Sequence, residues 1–343
     1  MGASYLAVGW LARWARRHAL DLPNERSSHA VPTPRGGGAV IAGLALIGVA
    51  PLLLLAEVPV PWLQLLGYAV GAAAIAAVSW LDDLHTLPYR TRLSIHILGA
   101  VLALVALGFW RQVALPALGP VRIGWLGLPL AFLWLVGLTN AYNFMDGIDG
   151  LAGTQALLAG LGWVAIGLFV GNPLVASLGA LVAGSSLGFL GHNWPPARIF
   201  MGDVGSAFLG YTFAVLPLFA AQATDERVAA KTAVAGLLLV WPFVFDSGFT
   251  FIGRLRRREN VFAAHRSHLY QRLVIAGRSH LAVTCLYGAL DLVGLALALL
   301  WLSGSPLGDV LIVTVIPALC LGLWLFVVRE ERNRAGEGNQ KAA

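Results

Sequence analysis

Three acidic motifs stand out in this chain: Asp82-Asp83, the run Asn143-Phe144-Met145-Asp146-Gly147-Ile148-Asp149-Gly150, and Met201-Gly202-Asp203-Val204-Gly205-Ser206. Each falls where an apolar stretch ends. A charged side chain at the centre of a bilayer costs roughly 2.5–3.5 kcal/mol on insertion scales, so carboxylates gathered at one membrane face mark a functional site. Several Asp and an Asn suit magnesium, a hard cation that binds one or two carboxylates and keeps positions for water and substrate phosphate. A diphosphate substrate carrying Mg²⁺, with Mn²⁺ as a substitute, fits that donor set.

The elements that must position these residues are membrane spans. Hydrophobic residues make up 58% of the 343 and charged ones 12%, with mean hydropathy +0.76. That composition predicts an all-α polytopic membrane protein. Apolar stretches near 38–56, 61–81, 93–110, 124–142, 150–171, 173–192, 205–223, 230–252, 280–303 and 308–328 give ten spans. The run Ala3 to Ala12 is too short to cross alone and reads as a first span with a shortened start, making eleven. With eleven, 19 of the 23 Lys and Arg fall on the side that carries the acidic motifs, against Arg111, Arg122, Arg227 and Lys231 opposite. The positive-inside rule makes the motif side cytoplasmic. A single membrane domain over 1–343 is expected, with a cytoplasmic loop at 253–279 and a tail at 329–343.

The net charge of +6 sits in short loops and reads as a topology signal, so nucleic acid is not an expected partner. Cys285 and Cys320 lie in separate apolar stretches, which argues against a disulfide or thiolate metal site. Two loops could meet an anionic substrate. The first, Pro23-Asn24-Glu25-Arg26-Ser27-Ser28-His29 followed by Arg35-Gly36-Gly37-Gly38, offers cations, hydroxyls and bare backbone N–H groups. The second holds Arg254, Arg256, Arg257 and Arg258, which read equally well as membrane anchors, then His265-Arg266-Ser267-His268; anchoring has no use for imidazole. Asp146 and Asp149 share a face if the helix continues, whereas Gly147 favours a loop; both readings stand. Asp246 lies two turns inside its span and is expected to line the site, as is Asn193. His96 and Asp291 are expected to pair within the bundle. Trp62, Trp80, Trp110, Trp125 and Trp194 sit near span ends as interface anchors.

From Pro23 to about Arg272 the chain resembles the polyprenyl-phosphate N-acetylhexosamine-1-phosphate transferases, the glycosyltransferase family 4 type. The resemblance rests on Leu81-Asp82-Asp83, Asn140 through Leu151, and Phe200 through Ser206; the stretch 24–38 is most similar to the O-antigen-initiating branch. It implies transfer of a sugar phosphate from a UDP-N-acetylhexosamine to undecaprenyl phosphate, with UMP released, at the cytoplasmic face of the bacterial inner membrane. It further implies Asp203 and Asn143 for Mg²⁺ and diphosphate, and Asp82 and Asp83 for the lipid phosphate. A phosphate monoester has a second pKa of about 6, so these two need only orient it. Asp146 and Asp149 would place the nucleotide sugar, and His265, Arg266, His268 and Arg35 would donate to diphosphate or sugar. A homodimer is compatible with the resemblance. The alternatives are the peptidoglycan-precursor branch and a polytopic transporter using intramembrane carboxylates.

Overall fold

A computed structural model describes residues 1–21, 31–55, 61–222, 225–260 and 265–342. The motif at 23–29 lies outside them. The architecture is helical: α1 (Gly2–His18), α2 (Gly38–Leu55), α3 (Trp62–His85), α4 (Tyr89–Leu107), α5 (Gly127–Phe144), α6 (Leu151–Phe169), α7 (Pro173–Asn193), α8 (Asp203–Gln222), α9 (Glu226–Leu239), α10 (Trp241–Arg256), α11 (Leu269–Ile275), α12 (His280–Leu302) and α13 (Pro306–Ala342). Two antiparallel ribbons complete it: β1 (Leu20–Asp21) with β2 (Thr33–Pro34), and β3 (Gln112–Leu115) with β4 (Gly119–Arg122).

Among the described residues, eight helices are long and apolar enough to cross a membrane: α3 to α8, α12 and α13. The pair α9 and α10 makes a ninth as a broken span, and α2 is a shorter apolar helix. The expected straight span at 230–252 is therefore corrected to two helices bent by 73°. Pro242, in the first turn of α10, has no N–H to offer the carbonyl one turn back, and its ring disfavours helical geometry at Trp241. Leu239 ends α9, and its carbonyl accepts the Gln155 side-chain N–H at 2.8 Å, as a backbone group away from water requires. The loop expected at 253–279 is partly helical, holding the last turn of α10 and all of α11.

α8 is the central pillar, with 94% of its span buried against α2, α3, α5 and α9. Its buried polar groups are paired across helices: Tyr68 with Thr212 at 3.0 Å, and the Tyr211 hydroxyl with the Gly99 carbonyl at 3.0 Å. Asp203 begins this helix, so it sits on the axis of the bundle. Of the five Trp read as interface anchors, Trp62, Trp125 and Trp194 are exposed, but Trp110 turns inward and is buried. Cys285 and Cys320 are both free.

Candidate active site

The start of α8 is built by Asp83. Its Oδ1 accepts the Asp203 N–H at 3.0 Å and its Oδ2 the Val204 N–H at 3.1 Å, so a carboxylate from the end of α3 caps the central helix. Gly202 makes that approach feasible. It has φ of +79° and a Cβ added there would lie 2.6 Å from Asp83 Oδ2. Gly202→Ala is expected to add about 1–2 kcal/mol of left-handed backbone strain and to push the cap away. Turnover should drop at least tenfold, about what 1.4 kcal/mol at the reacting centre would do. A fully active variant with unchanged melting would refute this account of the motif.

With Asp83 occupied by the cap, Asp82 and Asp203 face Arg92. One guanidinium nitrogen of Arg92 donates to Asp82 Oδ2 at 2.9 Å and to Asp203 Oδ2 at 2.7 Å. Asp82 also accepts the Leu87 N–H. Asp203 keeps 31% of its side chain exposed, whereas Asp82 and Asp83 are buried. Asn143, at the end of α5, donates its side-chain N–H to Ser206 Oγ at 2.9 Å, which leaves its amide oxygen as an acceptor. Arg35 stands 3.9 Å from Asp83 Oδ1. Two of the three glycines after it do not present bare donors: the N–H groups of Gly37 and Gly38 are spent on the Phe200 and Met201 carbonyls.

Residues 145–150 form a loop, which settles the open reading at Gly147. A Cβ at Gly147 would lie 2.1 Å from the Tyr270 hydroxyl, itself bonded to the Phe144 carbonyl at 3.0 Å. That close approach docks α11, and with it His268, beside the loop. Asp146 is half-buried, and burial, reinforced by Asp203, Asp83 and Asp149, pushes its carboxyl well above the ordinary range. Asp149 is turned away from the others: its Oδ2 accepts the Ala197 N–H at 3.1 Å and stands 3.3 Å from His280 Nδ1.

Two residues expected at the substrate are instead committed to the fold. The amide of Asn193 accepts the Gly150 N–H and donates to the Ile199 carbonyl, both at 2.9 Å, tying the second motif to the third. Asp246 is fully buried and caps α11, accepting the Leu269 N–H at 2.8 Å and the Tyr270 N–H at 3.0 Å. It also accepts the Tyr287 hydroxyl at 2.6 Å and holds His268 Nδ1 at 3.2 Å. Asp291, expected to be paired, is buried with no hydrogen-bond partner for its Oδ1 among the described residues.

A cavity of about 560 Å³ joins what remains. Its charged and polar lining includes Arg92, Asn143, Asp203, Arg254, His265 and His268. The cavity also runs along Leu93, Leu133, Trp134, Val136, Val244 and Phe251, between α4, α5 and α10. Leu133 and Phe251 are 65% and 50% exposed, so the apolar wall borders the outside of the bundle. The bend at Val240 makes this groove by carrying α10 away from the line of α9. His268 commits Nδ1 to Asp246, leaving Nε2 for the cavity; Arg266, half-buried, is not among its lining residues.

His265 Nδ1 pairs with Ser267 Oγ at 2.9 Å. Burial, then His268 and Arg254, lower its imidazole from 6.5 to about 4. In the unfolded chain the ring takes its proton first, so acidification below pH 6.5 disfavours the folded loop progressively down to about pH 4. An NMR titration is expected to find this ring neutral at pH 5–8; a midpoint near 6.5 would contradict its burial.

Arg92 lines the cavity without having been singled out in the sequence, beside His96, Asn140 and Arg254, which were named there in other roles. Arg92 and His96 carried a usable signal, being polar residues four apart inside one apolar span and hence on one helix face. His96 Nδ1 pairs with Asn140 Oδ1 at 3.3 Å, as expected of a bundle histidine.

The donor set suits a hard cation that takes few protein ligands. Asp203 and Asn143 bring one carboxylate and one amide oxygen to the cavity, and no cluster of three His, Cys, Asp or Glu capable of caging a metal occurs among the described residues.

The family model described as "Glycosyl transferase family 4" matches residues 65–221, which hold all three acidic motifs. The chain is 34% identical over 294 residues to the "Probable undecaprenyl-phosphate N-acetylglucosaminyl 1-phosphate transferase" of Bacillus subtilis (strain 168), covering 83% of this chain and 79% of that protein. It is 32% identical to a "Phospho-N-acetylmuramoyl-pentapeptide-transferase" of Synechococcus sp. (strain JA-3-3Ab), covering 84% of each chain. A "Decaprenyl-phosphate N-acetylglucosaminephosphotransferase" of Mycobacterium leprae (strain TN) is 31% identical, with 82% of this chain and 77% of that protein covered. A capped central helix presenting one carboxylate to a largely apolar groove is thus found in a chain that belongs to the polyprenyl-phosphate N-acetylhexosamine-1-phosphate transferase family.

Proposed function

We propose that this protein transfers N-acetylhexosamine-1-phosphate from a UDP-N-acetylhexosamine to undecaprenyl phosphate in the bacterial inner membrane. An oxygen of the lipid phosphate forms the new bond to the sugar-linked phosphorus. The bond from that phosphorus to the bridging oxygen breaks, and UMP leaves. The observation that carries this reading is the continuity of one cavity from Asp203, Asn143 and Arg92 to the apolar walls of α4, α5 and α10. One substrate is water-soluble and the other is lipid, and a largely apolar groove that also carries charged side chains accommodates both.

Asp203 and Asn143 would hold Mg²⁺, which when bound neutralises charge on the diphosphate. Arg92 supplies a fixed cation at the same point and, with Asp82, orients the lipid phosphate. Asp146, near enough to Asp203 and Asp83 to feel their charge, would place the nucleotide sugar. Phosphoryl transfer is mostly positioning and charge neutralisation, which suits a site with cations and no dedicated nucleophile. The charge asymmetry of the loops supports a cytoplasmic location for this end of the bundle. The product would start a cell-envelope glycan, with the O-antigen type favoured by the first-loop sequence. A homodimer is compatible with the large exposed apolar surface, which lipid covers equally well.

Asp83 is assigned a positioning role in this scheme. Asp83→Asn puts an N–H against an N–H at the cap, at a cost of about 1–3 kcal/mol for the unmet donor. Turnover should fall while the shape of the pH–rate profile stays as in the parent protein. Loss of a limb of that profile would instead make Asp83 a base.

The deciding experiment is UMP release by purified protein with undecaprenyl phosphate, Mg²⁺ and a panel of UDP-N-acetylhexosamines. Release that needs both lipid and metal supports the transferase and names the sugar. No release with any donor, in protein that melts cooperatively, would sink the reading and favour a transporter.

A further inference from the structure

At the opposite end of the bundle a second cavity, of about 490 Å³, lies between the β3–β4 ribbon and the ends of α8 and α9. Only four of the 23 Lys and Arg belong to that side of the chain, and the fold brings two of them, Arg111 and Arg122, to this one cavity. Strand register sets Arg122 opposite Gln112, and the Arg111 carbonyl accepts the N–H groups of both Ile123 and Gly124 at 2.9 Å, closing the base of the ribbon. The Arg111 guanidinium is flanked by the rings of Phe109 at 5.5 Å and Trp125 at 5.0 Å. Ring contacts use its faces and leave its N–H edge for an acceptor.

Neither arginine has a carboxylate within ion-pair distance among the described residues. By contrast Lys231, on the same side, is accounted for, donating to the Trp301 carbonyl at 3.0 Å and lying over its ring. Glu226, the first residue of α9, lines the same cavity and likewise has no ion pair among the described residues. Trp110 also lines it; 8% exposed, it has an indole N–H with no described acceptor. A buried donor of that kind ordinarily has a partner. Two guanidiniums and one carboxylate around one space are the complement of a phosphate joined to an ammonium group. Beside them Trp125 and Leu126 are 70% and 68% exposed, as side chains at a lipid boundary are.

We propose that this cavity binds a phosphoethanolamine headgroup, the phosphate on Arg111 and Arg122 and the ammonium on Glu226. The exposed Trp125 and Leu126 point to a membrane phospholipid as its source; soluble phosphoethanolamine shares the chemistry. This site stands apart from the carboxylate groove and does not depend on the function proposed for it.

The test is retention of lipid by the full chain in detergent, read by native mass spectrometry and by thermal shift. Phosphatidylethanolamine, phosphatidylglycerol, phosphatidylcholine, soluble phosphoethanolamine and inorganic phosphate are compared. Phosphatidylethanolamine should bind at least about tenfold more tightly than phosphatidylcholine, a difference of 1.4 kcal/mol. The Arg111→Gln/Arg122→Gln double variant should lose that binding, and Glu226→Gln should lose only the preference over phosphatidylglycerol. Melting of the lipid-free variants checks that they fold, and Glu226→Gln, at an exposed helix start, keeps the assay decisive if the double variant does not. Stabilisation by soluble phosphoethanolamine equal to that by the lipid would identify the headgroup alone as ligand. Equal retention by the parent and double variants, or no discrimination among the three lipids, would overturn the proposal.

Discussion

UMP release by Asp203→Ala protein is expected to fall by roughly 10²–10³-fold, the loss typical of removing one preorganised group that stabilises transition-state charge. The effect should be confined to chemistry and metal binding. Asp203 opens α8, but the cap of that helix is Asp83, and the Asp203 side chain reaches outward to Arg92 with 31% of its surface exposed. The variant should therefore melt close to the parent while losing Mn²⁺ affinity as followed by electron paramagnetic resonance. Asp203→Asn keeps one oxygen ligand, so high Mg²⁺ should restore part of its activity but none of that of the alanine variant. Unchanged Mn²⁺ binding in the alanine variant would remove Asp203 from the metal site.

Asp246→Ala is expected to have the largest effect on stability, about 3–5 kcal/mol, because each buried donor left without a partner costs about 1–3 kcal/mol. It would strand the Leu269 and Tyr270 N–H groups, the Tyr287 hydroxyl and His268 Nδ1 in a place that water does not reach. The loss should appear in ligand-free protein as a lower melting temperature and faster hydrogen exchange in α11. A residue serving substrate alone would change KM and leave ligand-free melting as it was. Activity should also fall, because His268 reaches the cavity only while α11 stays docked.

These two carboxylates show where the amino-acid order alone carries information. The membrane class, the apolar segments and the grouping of Asp82, Asp83, Asn143, Asp146 and Asp203 at one end follow from local quantities: hydropathy over a span, chain direction, and the cost of ionised groups in lipid. No tertiary contact is needed to work them out. Arg92 was within reach on similar grounds, as a cation at the edge of an apolar segment one turn from His96.

The division of labour among the carboxylates was beyond such reasoning. Asp82 and Asp83 are neighbours in the chain, yet one faces Arg92 and the other caps α8, because consecutive residues on a helix point about 100° apart and only packing decides what each meets. Asp246 and Asn193 satisfied the rule that a polar residue in a membrane needs a reason, but the reason was a buried helix end and a loop rather than a substrate. The break at Val240 was foreshadowed by Pro242, whereas the 73° bend itself belongs to the tertiary structure. Sequence alone therefore determined which residues must leave the lipid and at which end of the bundle. Tertiary structure decided which of them hold the fold and which remain free for chemistry, because hydrogen-bond partners far apart in the chain are assigned only when the helices pack.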